Sequence, residues 1–160
     1  MKSLLLPYQV KFVGLFLAFA GIVMSVFYLW FDFRFTVPVF AIFSSFLETK
    51  MFVTFNTNFA DELAMMLLLT GLSLIVFSKE KIESEYLDAT RGKAMVKALL
   101  YNNIMLLFSI LFIYGSGFIG MLVINLFSCS LFYLFIFYYM NYKQKTNEKR
   151  ELSKLADSKP

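Results

Sequence analysis

The side chains able to do chemistry are few. The densest acidic group is Glu80, Glu83, Glu85 and Asp88, interleaved with Lys79, Lys81 and Arg91. Carboxylates in such number can bind a divalent cation or serve as general acid and base. Their spacing scatters them around a helix, however. Lys79/Glu83, Lys81/Glu85 and Asp88/Arg91 are i,i+4 or i,i+3 partners, so the expected role is a solvated charged face. Glu83, Glu85, Asp88 and Arg91 are then the residues expected to meet a protein partner. A second acidic pair, Asp61 and Glu62, suggests a cation site. A simpler reading is that Asn58 caps a helix, Asp61 sits three residues on in a variant of the capping box, and both acids meet the positive end of the helix dipole.

The remaining polar candidates are amides and a hydroxyl inside apolar runs: Asn102, Asn103, Ser109 and Asn125. Interhelical hydrogen bonds are the plain account of such groups in lipid. A polar pathway for a solute is the alternative. Asn103 and Asn125 are expected to lie about 10 Å apart in depth and not to pair, with Ser109 closer in depth to Asn125.

What is missing narrows the chemistry further. The chain has no His, which removes the usual neutral-pH acid/base, the commonest metal ligand and haem ligation by His. Its one Cys, Cys129, lies in an apolar run and is expected to be a small buried hydrophobe. No cofactor, metal or catalytic residue is expected.

These side chains must be positioned by membrane-spanning elements. Of the 160 residues, 59% are hydrophobic and 16% charged, with 21 Phe. Soluble domains run nearer 45–50% apolar and about 25% charged. Stretches free of Asp, Glu, Lys and Arg run from Phe12 to Phe31 (20 residues), Leu63 to Ser78 (16) and Ala98 to Tyr142 (45). A span needs about 20 residues. The longest stretch suits two spans joined at Gly115-Ser116-Gly117, and Phe59–Glu62 supplies the first turn of the short one. The expected architecture is an all-α membrane protein, a four-helix transmembrane bundle. Its spans cover about 10–31, 59–78, 98–114 and 118–142, followed by a disordered tail over 143–160. A cytoplasmic helix covers 79–97.

The basic residues set the expected orientation. The segments before the first span, between the second and third, and after the fourth hold 13 of the 15. Only Arg34 and Lys50 fall on the other side, so both termini are expected in the cytoplasm, in a multi-pass protein of the cytoplasmic (inner) membrane. The same spread over three segments argues against nucleic acid and for weak attraction to the lipid bilayer. Ala18-Phe19-Ala20 looks like a signal-peptide cleavage site, but Lys11 splits the apolar run and the chain stays apolar beyond Gly21, so an intact first span is expected.

Phe31-Asp32-Phe33-Arg34-Phe35-Thr36 alternates apolar and polar residues, the period of a strand with one buried face, and the outer segment, 32–58, is rich in Phe. Val37–Phe43 and Met51–Phe55 are expected to pair as a small extracytoplasmic β-hairpin or ribbon between the first two spans, with Pro38 at a strand start or edge. An interfacial helix through Phe40–Leu47 is the alternative. In the first span Gly14, Ala18, Gly21 and Ser25 form a stripe of small residues, which lets helix backbones approach closely. Packing against another span is the expected role and a homo-oligomer contact the alternative.

Thr57-Asn58-Phe59-Ala60-Asp61-Glu62, Phe77-Ser78-Lys79-Glu80-Lys81-Ile82-Glu83 with Glu85-Tyr86 and Arg91, and Asn102-Asn103 followed by Tyr114-Gly115 and Asn125-Leu126-Phe127 carry a resemblance. The chain over roughly 56–142 resembles a group of small, uncharacterised bacterial four-span integral membrane proteins. The resemblance implies a shared four-span design and a role for the charged link. It carries over no substrate and no catalytic residue. Ser84 stands where the pattern would have an acid, which argues against a fixed acidic site.

The expected function is therefore a non-enzymatic membrane scaffold or signalling accessory. The charged link and the Phe-rich outer segment would be its contact surfaces, toward a membrane or cytoplasmic protein or a second copy. A small-solute transporter or oligomeric channel subunit is the alternative, and a membrane enzyme the least favoured reading.

Overall fold

The computed structural model describes residues 5–45, 49–81 and 83–157, with side chains described at 5–42, 51–81, 83–84 and 86–151. It is mostly helical, in the order α1 (Val10–Phe31), β1 (Thr36–Ser45), β2 (Thr49–Asn58), α2 (Ala60–Val76), α3 (Glu85–Phe112) and α4 (Ser116–Asp157). Three helical stretches, Val10–Phe31, Tyr86–Phe112 and Ser116–Glu151, are long and apolar enough to cross a membrane. α2, with 17 residues, spans about 26 Å, slightly less than the ~30 Å hydrocarbon core.

The chain forms two compact units, 12–74 and 1–11 with 75–160. In the first, α1 and α2 meet through small residues. Gly14, Ala18 and Gly21 are buried on α1. A Cβ built on Gly21 would lie 2.8 Å from Leu68 N and Cγ and 3.2 Å from Ala64 O. A Cβ on Gly71 would fall against Ala18 N, 2.8 Å from Ala18 Cα and 2.8 Å from Gly14 O. Backbones therefore touch where side chains would otherwise hold them apart. Ser25 is half-buried and donates to Gly21 O at 2.9 Å within its own helix.

Between these helices β1 and β2 form a two-stranded antiparallel sheet, from Thr36↔Asn58 to Ser45↔Thr49. The ribbon, not the interfacial helix, is the structure of the outer segment; Phe46, Leu47 and Glu48 lie outside the described residues. Pro38 is paired opposite Asn56. That position is tolerated because in a two-stranded sheet every strand is an edge. Asn58 Oδ1 accepts from Phe35 N and Ala60 N, both at 3.2 Å, so one amide closes the ribbon and begins α2.

In the second unit α3 and α4 form a helical hairpin. Its turn is Ile113–Gly115, where Gly115 takes a φ of +69°, a conformation that glycine adopts without a Cβ clash. Ala94, Ala98, Tyr133 and Phe137 are buried between the helices, with Val76 and Leu87 in the same cluster.

Two boundaries depart from the sequence expectation. The separate helix over 79–97 is not formed. α3 begins at Glu85, with Ser84 as N-cap, and runs unbroken to Phe112 as one helix long and apolar enough to cross a membrane. No Pro interrupts residues 85–112, and Gly92 alone does not stop a helix held by its neighbours. Lys79/Glu83 and Lys81/Glu85 thus have no common helix on which to pair, and Ile82 lies outside the described residues. Nor is 143–157 disordered, because α4 continues to Asp157. Lys, Gln, Glu and Arg are good helix formers, no Pro lies within residues 116–157, and an already nucleated helix propagates cheaply.

Candidate functional site

Lys11, Glu80, Glu83, Asp88 and Arg91 of the second unit gather where the segment before α3 meets α3, α4 and the N-terminal residues. Leu6 forms a parallel bridge to Ser78, with Leu6 N donating to Phe77 O at 2.8 Å and Lys79 N to Leu6 O at 2.9 Å. This brings Lys11 to Glu80, Nζ to Oε1 at 2.6 Å, with both side chains about one-fifth exposed. Lys11 Nζ also lies 5.1 Å from the centre of the Tyr138 ring, and Tyr138 Oη donates to Glu80 Oε1 at 3.4 Å. The charges are neutralised at the cluster, with an aromatic face beneath the ammonium.

A second lock sits beside it. Arg91 grips Glu83 with both guanidinium nitrogens, each at 2.8 Å, and its Nη1 donates to Asp88 at 3.3 Å. The guanidinium lies 5.6 Å from the Phe137 ring centre, and the Arg91 side chain is 11% exposed. Glu83 Oε1 accepts in addition from Glu80 N at 2.6 Å. The Arg91 fork holds the Glu83 carboxyl below the ordinary glutamate range, since every donor aimed at it favours the ionised form. Bidentate geometry of this kind fixes orientation as well as charge. Glu83, Asp88 and Arg91 are therefore engaged with one another, and the side chain of Glu85 lies outside the described residues. Their geometry clamps the start of α3.

Within the apolar part of the hairpin no hydrogen bond among the described residues joins Asn103 to Asn125, as expected, but the neighbouring Asn102 does pair with Asn125. Asn102 Nδ2 donates to Asn125 Oδ1 at 3.4 Å and Asn125 Nδ2 to Asn102 Oδ1 at 3.4 Å. Ser128 Oγ joins them through a bond to Asn102 Oδ1 and donates to Asn125 O at 3.0 Å. Asn103 is exposed, and the buried Ser109 donates to Met105 O at 2.8 Å in its own helix. α3 ends at Phe112 and α4 starts at Ser116, so Asn102 and Asn125 are nearly equidistant from the turn. Ser128 was missed; it lies three residues after Asn125, one helical turn on the same face.

Comparison with known proteins finds no family model, no curated protein and no solved structure that matches this chain.

Two further features are exposed. Phe40, Ile42, Met51 and Phe52, at the end of the ribbon away from α1 and α2, are 63–69% exposed, and the Phe40 and Phe52 rings lie diagonally with centres 6.3 Å apart and planes tilted by 40°. The other is the far end of α4. The whole helix has 42 residues and is about 63 Å long, roughly twice the hydrocarbon thickness. In the first unit Asp61 and Glu62 occupy the first turn of α2, and Glu62 Oε2 is enclosed without a hydrogen-bond partner. Among the described residues no group of His, Cys, Asp or Glu has the arrangement of a metal site. Cys129 is half-buried and free.

Proposed function

We propose that this chain is a four-span protein of the cytoplasmic membrane that acts as a non-enzymatic scaffold or signalling accessory. α2 is the fourth span and both termini face the cytoplasm. The distribution of basic residues supports that orientation, with 13 of 15 in alternate segments. Kinship with small bacterial four-span proteins belongs to the same proposal.

The observation that carries the reading is the length of α4. A helix about 63 Å long cannot be contained in a ~30 Å core, so its last part stands outside as a rod bearing Lys143, Lys145, Glu148, Lys149 and Arg150. The rod would be the partner-binding surface. The acidic-basic cluster at Glu80, Glu83 and Arg91, its charges already satisfied, would set the angle at which the rod leaves the membrane. The exposed aromatic end of the ribbon is the matching surface on the other side.

The test combines topology and contact. With Cys129→Ser as background, Thr36→Cys should react with an impermeant maleimide from outside, and Lys93→Cys and Lys145→Cys only after permeabilisation. A photocrosslinker at position 145 or 149 should join α4 to a specific membrane or cytoplasmic protein, and one at position 123, in the apolar span, should not. Labelling of Lys145→Cys from outside would overturn the orientation, and identical products at 123 and 149 would overturn the docking role.

A second reading rests on the Asn102–Asn125–Ser128 cluster, a set of polar groups in an apolar hairpin. If it lined a solute path in an oligomer, purified protein in liposomes would show selective flux that Asn125→Leu abolishes. The three groups are bonded to one another, which favours packing over conduction.

A further inference from the structure

Beside the locked charges lies a groove of about 690 Å³ with a different character. It runs between α3 and α4 and involves no other element. Its floor is aromatic: Tyr101 and Phe132 pair with ring centres 6.3 Å apart, and Phe135 stacks on Tyr139 at 6.5 Å. Lys97 and Lys143 supply its charge, and no Asp or Glu lines it. Lys11 and Arg91 are each tied to a carboxylate, but Lys97 and Lys143 have no ion-pair or hydrogen-bond partner among the described residues.

We propose that this groove binds one anionic phospholipid from the cytoplasmic leaflet, its phosphate between Lys97 and Lys143 and an acyl chain along Phe132 and Phe135. The placement follows from the spans. Lys97 and Lys143 flank the apolar stretch Ala98–Tyr142, so they lie where headgroups lie, and the floor leads from them into the hydrocarbon. Two ammonium groups in a groove that no described carboxylate lines complement an anionic headgroup and discriminate against a zwitterionic one. Tyr101 and Tyr139 are amphipathic rings suited to that boundary. The volume lies in the range of small-ligand sites and suits a headgroup with the first part of its chains. A soluble anion would use the lysines but leave the aromatic floor bare, whereas a lipid uses both. The proposal rests on the orientation given above but not on the scaffold role.

The experiment uses the full chain in mild detergent, incubated with equimolar dioleoylphosphatidylglycerol and dioleoylphosphatidylcholine and read by native mass spectrometry. The two lipids share their chains, so any preference belongs to the headgroup. The expected result is one retained phosphatidylglycerol in preference to phosphatidylcholine by about tenfold or more. That preference should be lost in Lys97→Gln/Lys143→Gln and kept in Lys149→Gln, which lies on α4 outside the groove. Phe135→Ser should shorten retention of both lipids while keeping the preference. Millimolar glycerol phosphate should not displace the lipid. Equal retention of the two lipids by the unaltered chain would overturn the proposal, and that measurement needs no variant to fold. Preference unchanged in the double glutamine variant, full displacement by glycerol phosphate, or a dimer that buries Tyr101 and Tyr139 in place of lipid would overturn it too.

Discussion

Replacing Gly71 with Ala should separate α1 from α2. The added methyl would fall against Ala18 N and stand 2.8 Å from both Ala18 Cα and Gly14 O. All three are backbone atoms of α1, so no side chain can rotate away. An ordinary contact is about 3.5–4.0 Å, so the helices must part by about 1 Å along this seam, and the contacts above and below it loosen together. Overpacking of this kind costs about 1–3 kcal/mol. Gly92 and Gly120 are the internal controls, since a Cβ at either would meet nothing within 4 Å. Gly92→Ala should stabilise α3 by about 0.5–1 kcal/mol through helix propensity alone. The assay is unfolding by SDS from mild mixed micelles, followed by circular dichroism. Gly71→Ala should unfold at lower SDS than the unaltered chain, and Gly92→Ala at higher. Adding Ala18→Gly to Gly71→Ala should not rescue it, because the clash is with the Ala18 backbone and not with its methyl. Stability of Gly71→Ala equal to that of Gly92→Ala, or full rescue by Ala18→Gly, would refute the close approach.

Gly21→Leu should weaken the same seam by more than Gly71→Ala, since its Cβ alone comes within 2.8 Å of Leu68, and the same SDS titration reads it. Asn102→Leu should cost about 0.6–2 kcal/mol by breaking the amide cluster in α3 and α4, with Asn103→Leu near neutral. Glu83→Gln should lower the thermal midpoint at pH 7. Because Arg91 depresses the Glu83 carboxyl below its ordinary value of 4.5, its contribution is fully present above that value and is lost as pH falls through the lower folded value. The gap between Glu83→Gln and the unaltered chain should therefore close on acidification below pH 4.5; a gap that widens there would contradict the fork. Truncation after Tyr142 should remove about 15 residues of helix by circular dichroism, at 1.5 Å each, and leave membrane insertion intact. Loss of no helical signal would contradict the unbroken α4.

The amino-acid sequence determined the features that depend on composition and local period. Runs free of charge are long enough for lipid, and the β-branched and aromatic runs Val37–Phe43 and Met51–Phe55 suit paired strands, as the β1–β2 pairing has it, whereas the alternation over 31–36 does not carry β1 back beyond Thr36. The spacing of Gly14, Ala18 and Gly21 put small residues on one side of α1, and Asn58 ahead of an apolar run marked a helix start. Each of these is set within a turn or two of chain. The sequence also suggested a frayed tail and a separate cytoplasmic helix, because polarity was read as a break. Polarity alone does not end a helix, and only Pro, Gly in a suitable place or a competing cap does so. Tertiary structure alone decided the pairings. Nothing near Gly14 or Ala18 in the chain points to Gly71, and the meeting of Asn102 with Asn125 depends on where α3 stops and α4 starts, a shift of a few residues that local signals do not resolve. Arg91 offered Asp88 as its obvious helical partner, yet its stronger bonds go to Glu83, outside the helix. Which of two nearby carboxylates a guanidinium grips is settled by where Glu83, ahead of α3, is held against Arg91, and that is a property of the folded chain.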